Sequence, residues 1–265
     1  MAPDSSPIGS STPSSARIYN YFLGGEDNFA VDREAAETFM AMFSTVLPAA
    51  RANRGFVLRA ARAMAEAGVR QFLDIGCGLP LEPNVHDIAL SVHVDARVVY
   101  VDNDPSVVAS SQAQLDRPGQ VVTIAGDLRD PATIIANPDV AQLLDFTKPV
   151  GLLTVAILHF IPEDAIGEYL AHLRRALAPG SQFALTHVCP DNIPASEVEA
   201  GQALYQQTTN PVRPRTRAEI LALFDGWTLL EPGLCPAADW RPVDGDPYPE
   251  QAPESFAGVG ILPLH

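Results

Sequence analysis

Apolar positions along the chain follow two alternating rhythms, and their order implies an architecture. Five short runs, 71–75, 97–101, 121–125, 150–156 and 182–188, are apolar almost throughout rather than every second residue. That is the pattern of strands buried on both faces. The stretches between them repeat at helical spacing. Phe56, Val57, Ala60 and Met64 stripe an Ala-rich helix over 50–67 that stops at Gly68. Pro105, placed after a capping Asp104, opens another helix. Ile166, Tyr169, Leu170, Leu173 and Leu177 mark a helix from Pro162 to Pro179-Gly180. Thr216-Arg217-Ala218-Glu219 reads as a capping box for a helix ending near Gly226. Two last apolar runs, 227–230 and 256–262, have no helix between them, only a Pro- and Asp-rich excursion over 231–255, and so predict a terminal antiparallel hairpin. Strands alternating with helices indicate an α/β fold: a mostly parallel sheet covered on both faces.

Upstream, the Ser- and Pro-rich residues 1–15 lack the apolar content to order themselves and predict a flexible tail. Residues 16–47 are aromatic and glycine-bearing. Tyr19, Phe22 and Leu23 line a helical face before Gly24-Gly25, and Asn28 has the character of an N-cap for a second helix. This segment predicts an N-terminal helical lid ahead of a main domain over 48–265; a plain packing helix with two exposed tyrosines is the alternative.

Length and charge narrow the partners. A chain of 265 residues suits one domain with an appendage. Seventeen basic against 32 acidic residues leave a net charge of −15, which argues against nucleic-acid binding and against a polybasic membrane surface. Cys77, Cys189 and Cys235 form no C-x-x-C pair, so neither a disulfide framework nor a metal site is expected. The first 15 residues carry no basic and apolar signal pattern, and no apolar run reaches 18 residues; a soluble, cytoplasmic protein is expected.

The chemistry gathers where strands end, which is where open α/β sheets bind ligands. The first strand delivers Asp74-Ile75-Gly76-Cys77-Gly78, the second Asp102-Asn103-Asp104, the third Asp127-Leu128, the fourth His159 and the fifth His187. Three carboxylates at successive strand ends are a poor cradle for pyrophosphate. The glycine run also lacks the third glycine of a dinucleotide fingerprint, and Asp74 would face an incoming phosphate. A nicotinamide-dependent oxidoreductase is therefore disfavoured, and a ligand rich in hydroxyl and amino groups preferred.

With DIGCG (74–78), YVDND (100–104) and AGDLRD (125–130) in this order, the chain resembles the class I S-adenosylmethionine-dependent methyltransferases over roughly 70–262. YNYFLGG, DNF, ANRGFVLRA and LFDGWTLLEPGL extend the likeness to nearly the whole chain. They resemble an actinobacterial S-adenosyl methyltransferase family formerly catalogued as a domain of unknown function. The resemblance implies a Rossmann-like, seven-stranded methyltransferase sheet and S-adenosylmethionine as cofactor. Asp102 would bind the ribose hydroxyls with Asn103 beside it, Asp127 the adenine amine, and the Leu128 N–H a ring nitrogen. Gly76, Cys77 and Gly78 would border the methionine portion, and Asp74 would meet its ammonium directly or through a water. Asn53, Arg54 and Tyr19 would approach from the N-terminal side, although Arg54 could equally pair with a surface acid. Two prolines, Pro80 and Pro83, depart from a compact loop and delay the next helix to about Asn84.

Methyl transfer needs chiefly proximity and alignment, plus a base if the acceptor must lose a proton. His159 is the candidate, the alternative being a histidine that merely bonds backbone; His187 carries the same ambiguity. His86, His93, His172 and His265 read as surface or helix residues, and Cys77 as a small residue in a tight turn. Expected function is methyl transfer to a small-molecule acceptor; a catalytically silent cofactor-binding sensor or partner is the alternative. The acceptor pocket would be shaped by the Pro-rich stretches 189–215 and 231–255.

Overall fold

The computed structural model describes residues 12–161, 163–191 and 193–263. Eight strands form one sheet in the order β3-β2-β1-β4-β5-β8-β6, with β7 paired to β8 off this path. β1 (Gln71–Ile75), β2 (Arg97–Asp102), β3 (Val121–Ala125), β4 (Gly151–Thr154) and β5 (Gln182–Val188) are parallel to one another. β8 (Ser255–Ile261) runs antiparallel to β5 and is flanked by β6 (Thr228–Leu229) and by β7 (Cys235–Pro236), both antiparallel to it. The sheet thus has one strand more than the seven expected. β7 is two residues inside the 231–255 excursion, too short to leave a periodic trace. The order reverses between β1 and β4, where the chain returns after building β2 and β3 outward, and a crevice opens above that point.

Successive strand residues face opposite layers. Phe72, Val98 and Tyr100 pack against α3 (Val46–Glu66) and α4 (Val85–Val92), whereas Leu73, Ile75, Val99 and Val101 pack into the layer of the other face. That second layer contains α6 (Pro131–Ala136), α7 (Pro138–Leu143), α8 (Glu163–Ala176) and α10 (Arg217–Ala222). α5 (Pro105–Leu115) starts behind Asp104, whose Oδ1 accepts the Ser106 N–H at 2.8 Å, as its sequence predicts. Thr216 and Glu219 likewise form the expected capping box of α10. α4 follows an Asn84 N-cap, so the two prolines do delay that helix.

A third, smaller cluster joins α1 (Ser15–Phe22), α2 (Ala30–Met42), the first turns of α3 and α9 (Ala195–Tyr205) through Ile18, Phe22, Phe39, Ala50 and Tyr205. Several expectations change here. Residues 1–11 of the expected tail lie outside the described residues, but Ser14 is buried and α1 begins at Ser15. The cap of α2 is not Asn28. Asp32 accepts the Phe29 N–H at 2.8 Å from inside the helix, while Asn28 Nδ2 donates to Asn20 Oδ1 and the Gly25 carbonyl. α3 begins at Val46, so a boundary at 48 falls within its first turn. α6, α7 and α9 had no counterpart among the elements read from the sequence.

Candidate functional site

Above the switch point lies a cavity of about 900 Å³, toward the upper end of the roughly 300–1,000 Å³ of small-molecule sites. Its floor is the three strand ends. Asp74, the fourth residue of β1, is buried beside the glycine turn. Gly76 and Gly78 have φ of +74° and +66°, a conformation that side chains resist. A Cβ at Gly76 would also lie 2.2 Å from Ile157 Cγ2, whereas beside Gly78 there is open space. The turn hangs on β2: the Gly76 and Cys77 N–H groups donate to the Val101 carbonyl at 2.7 and 3.2 Å.

Asp102 then ties the turn to the next loop. Its Oδ2 accepts the Gly78 N–H and its Oδ1 the Asp104 N–H, each at 3.0 Å. Burial raises its pKa in spite of these donors. Asp74 is different, because no hydrogen bond reaches its carboxylate from the described residues. Burial pushes it up to about 7; the Arg54 charge opposes this and the Asp102 charge adds to it. Asp127 sits at the rim with its carboxylate engaged by Asn103 Nδ2 at 3.0 Å and by the backbone N–H and Nε of Arg129, each at 2.9 Å. The Arg129 hydrogen bond is the main reason its pKa falls to about 2. Leu128 is buried in the second core layer. The Cys77 thiol is pushed far up by burial and by Asp102 and Asp74, which disarms it as a nucleophile.

The N-terminal helices line the cavity as well. The Tyr19 hydroxyl donates to the Ala50 carbonyl at 3.0 Å and accepts Asn53 Nδ2 at 2.7 Å. Burial lifts its pKa to about 12. Asn53 Oδ1 accepts the Thr186 hydroxyl, and Thr186 Oγ1 accepts the Ala156 N–H at 2.9 Å. One polar relay therefore links α1, α3, β5 and the end of β4. Ala156 has φ of +57°, a left-handed strain of the kind found beside functional sites. Arg54 pairs with no surface acid among the described residues. Its Nη2 donates to the Leu81 and Pro83 carbonyls, so it clamps the proline loop, and its buried Nε has no partner among the described residues. Ser14 Oγ donates to Asp104 at 2.9 Å, fastening the start of α1 to the loop after Asp102, and Arg17 Nε donates to Asp32 at 2.7 Å, tying α1 to α2.

His159 stands on a 3-10 turn, Leu158–Phe160, just past β4. Among the described residues its side chain makes no hydrogen bond to backbone, unlike the alternative of a histidine that merely bonds backbone; its own carbonyl accepts the Arg213 N–H at 2.7 Å. Burial, His187 and Arg215 drive its pKa far down, so the imidazole is neutral at pH 7. His187 is built in: Nδ1 donates to the Val188 carbonyl at 2.8 Å, leaving Nε2 to accept Arg215 Nη1 at 3.0 Å. Burial lowers it to about 4. Arg215 had no distinguishing signal in the sequence, yet it also donates to the Leu158 and Ile161 carbonyls and so holds the His159 turn. His86, read as a surface or helix residue, lies in α4 and is buried, its Nδ1 3.0 Å from the Tyr100 hydroxyl. His93 is half-buried with Nε2 on the Ala65 carbonyl, and His265 lies outside the described residues.

Tyr19, Arg54, Asp74, Gly76, Cys77, Gly78, Asp102, Asn103, Asp127, Leu128 and His159 all line this one cavity. Comparison with known proteins gives a family for that arrangement. The profile described as S-adenosyl methyltransferase matches residues 1–263. A DUF574-family protein from Streptomyces avermitilis is 38% identical over 97% of this chain and 100% of its own, with a TM-score of 0.89. A candidate methyltransferase from Thermobifida fusca is 35% identical over 96% of both chains, with a TM-score of 0.88. Human N-acetylserotonin methyltransferase, in complex with S-adenosylmethionine, is 14% identical over 93% of this chain and 62% of its own, with a TM-score of 0.51, and shares the fold. No curated protein matches the chain.

Proposed function

The chain belongs to the S-adenosyl methyltransferase family, and from that premise we propose that it methylates a small-molecule acceptor by in-line displacement in this cavity. The cofactor, when bound, supplies a methyl group activated on a sulfonium sulfur. The donor set fits such a group. It consists of carboxylates and backbone, which suits a cation bearing hydroxyls and no phosphate. Asp74 carries the reading. It is a carboxylate that no hydrogen bond reaches among the described residues and that burial, against the Arg54 charge, pushes up to about 7, and an ammonium or sulfonium would provide a partner.

The other roles follow from what each side chain has left to offer. Asp102 keeps a lone pair on each oxygen after its two backbone bonds and would accept two ribose hydroxyls. Asp127 and Asn103 would meet the adenine edge, with Arg129 swinging off the carboxylate it now covers. The Leu128 N–H lies next to that edge in sequence. Gly78, beside open space, lets the chain approach the methionine portion, with Cys77 as the small residue between the glycines. Arg54 and Tyr19 bound the same region from α3 and α1. The bound cofactor would supply the methyl group and keep the electron pair of the broken bond, and neutral His159 would take the proton that the acceptor oxygen or nitrogen gives up and pass it to solvent. A low pKa makes His159 a weak base but leaves it unprotonated and available over a wide pH range. The net charge of −15 supports a small acceptor over a nucleic acid.

Calorimetric titration with S-adenosylmethionine and S-adenosylhomocysteine tests the reading, and absence of heat for both overturns it. With binding established, His159→Ala should lower turnover by about 10²-fold or more if it takes the proton. An unchanged rate would assign proton loss directly to solvent.

A further inference from the structure

Beyond the glycine turn the cavity changes character. Ile157, which packs against Gly76, leads straight into the His159 turn, and from there ring contacts run without a break along the wall. Ring centroids are 5.5 Å apart for His187 and His159, 4.3 Å for His159 and Phe160, and 5.8 Å for Phe160 and Tyr205. The series continues at 4.7 Å from Tyr205 to Phe39 and 6.4 Å from Phe39 to Phe22. All six rings line the cavity. They come from β5, the turn after β4, α9, α2 and α1, so nothing in local sequence announces them together.

Two polar groups flank Phe160 on this wall, the His159 imidazole and the Tyr205 hydroxyl. His159 Nδ1 is buried without a partner among the described residues, and the hydroxyl of the half-buried Tyr205 makes no hydrogen bond with them either. Both are neutral at pH 7, since burial lowers His159 and raises Tyr205 to about 12. The arginines that line the cavity are Arg17, Arg54 and Arg129, and each is engaged: with Asp32, with the Leu81 and Pro83 carbonyls, and with Asp127. Apart from the buried Nε of Arg54, beside the proline loop, these groups offer a carboxylate or phosphate on the acceptor nothing without displacing a contact. A flat neutral ring, by contrast, would find edge and face partners at every step.

We propose that this chamber takes an uncharged aromatic acceptor, with a hydroxyl or ring N–H against His159 and a second polar group against Tyr205. The inference rests on the methyltransferase reading and names the substrate class of that same site. A ligand that covers these polar groups without pairing them leaves them buried and unpaired, which is costly, so one that pairs both is selected over one of the same shape that pairs neither.

The full-length protein, saturated with S-adenosylhomocysteine, is titrated with a naphthalenediol, with naphthalene and with a hydroxynaphthoate. Saturable binding of the diol is expected, with the other two at least about tenfold weaker. Tyr205→Phe, which keeps the ring, and His159→Gln should each weaken the diol by about tenfold and leave naphthalene unchanged. No saturable diol binding, a hydroxynaphthoate that binds as tightly as the diol, or indifference to both substitutions would overturn the inference. Failure of S-adenosylhomocysteine itself to bind would instead overturn the methyltransferase reading, so the two failures are distinct.

Discussion

A single carboxylate, Asp74, sets the pH behaviour expected of this site. Its folded pKa of about 7 lies above the ordinary value of 3.8, so the ligand-free protein holds a proton there that the unfolded chain gives up. Stability from this group is therefore full below pH 4 and lost as pH rises through 7. A cationic ligand drives the proton off. S-adenosylhomocysteine binding should tighten by about tenfold from pH 6 to pH 8 and release close to one proton at pH 6, read by calorimetry in buffers of different ionisation enthalpy. Asp74→Asn should abolish both effects, weaken binding by at least about tenfold, and stabilise the ligand-free protein at pH 8 by part of the ~4 kcal/mol that the shift represents. His187 acts in the opposite sense. Its folded pKa of about 4 lies below the ordinary 6.5, so its neutral form stabilises fully above pH 6.5 and the contribution fades as pH falls toward 4. His159 shifts in the same direction. Urea midpoints should thus fall between pH 7 and pH 5, and fall more steeply in Asp74→Asn, where the compensating carboxyl is gone. A flat profile in that variant would show that the histidines titrate normally.

At the scale of elements, the N-terminal helices are held on by polar groups as much as by the Ile18–Phe39 cluster. Asp32, fully enclosed, accepts Arg17 Nε at 2.7 Å, the Ser14 N–H at 2.9 Å and the Phe29 N–H at 2.8 Å. Removing the arginine leaves a buried carboxylate without its charge partner, a loss of about 3–5 kcal/mol in comparable cases. Arg17→Met should lower stability by that order and, because Ser14 and Arg17 also reach Asp104, loosen α1 enough for limited proteolysis to cut near its end first. Wild-type cleavage kinetics in the variant would overturn this role. The same elements show what the sequence makes legible. β1 to β5 were readable because strands buried on both faces leave unbroken apolar runs, and the carboxylates were readable because each follows such a run. α9 was not: it buries no residue completely and sits between Pro190, Pro194 and Pro211. Its contribution, Tyr205 against Phe39 and Phe160, is a tertiary contact across more than forty residues of chain. His86 is on a helix, as one arm of its reading had it, but its burial was not legible, since its partner Tyr100 arrives from β2. Periodicity reports which face of an element is covered; it does not report what covers it.

The molecule as a whole brings its surface charge to bear on the site. A net charge of −15 surrounds a cavity whose floor carries Asp74, Asp102 and Asp127, and summed fields of this kind favour cations in clefts. S-adenosylmethionine carries one more positive charge than S-adenosylhomocysteine, because transfer of the methyl group removes the sulfonium. The field should therefore favour substrate cofactor over product, and the bias should depend on salt. Exposed acids act over a Debye length of about 30 Å at 0.01 M but only about 3 Å at 1 M, whereas buried pairs are screened far less. Raising NaCl from about 0.01 M to about 1 M should weaken S-adenosylmethionine by several-fold while leaving S-adenosylhomocysteine nearly unchanged, so that the ratio of their dissociation constants shifts toward product. The residual preference at high salt then measures the buried carboxylates alone, and Asp74→Asn should reduce that residue without altering the salt-dependent part. Equal weakening of both ligands would mean that the surface acids do not reach the sulfonium, leaving discrimination to Asp74 and its immediate neighbours.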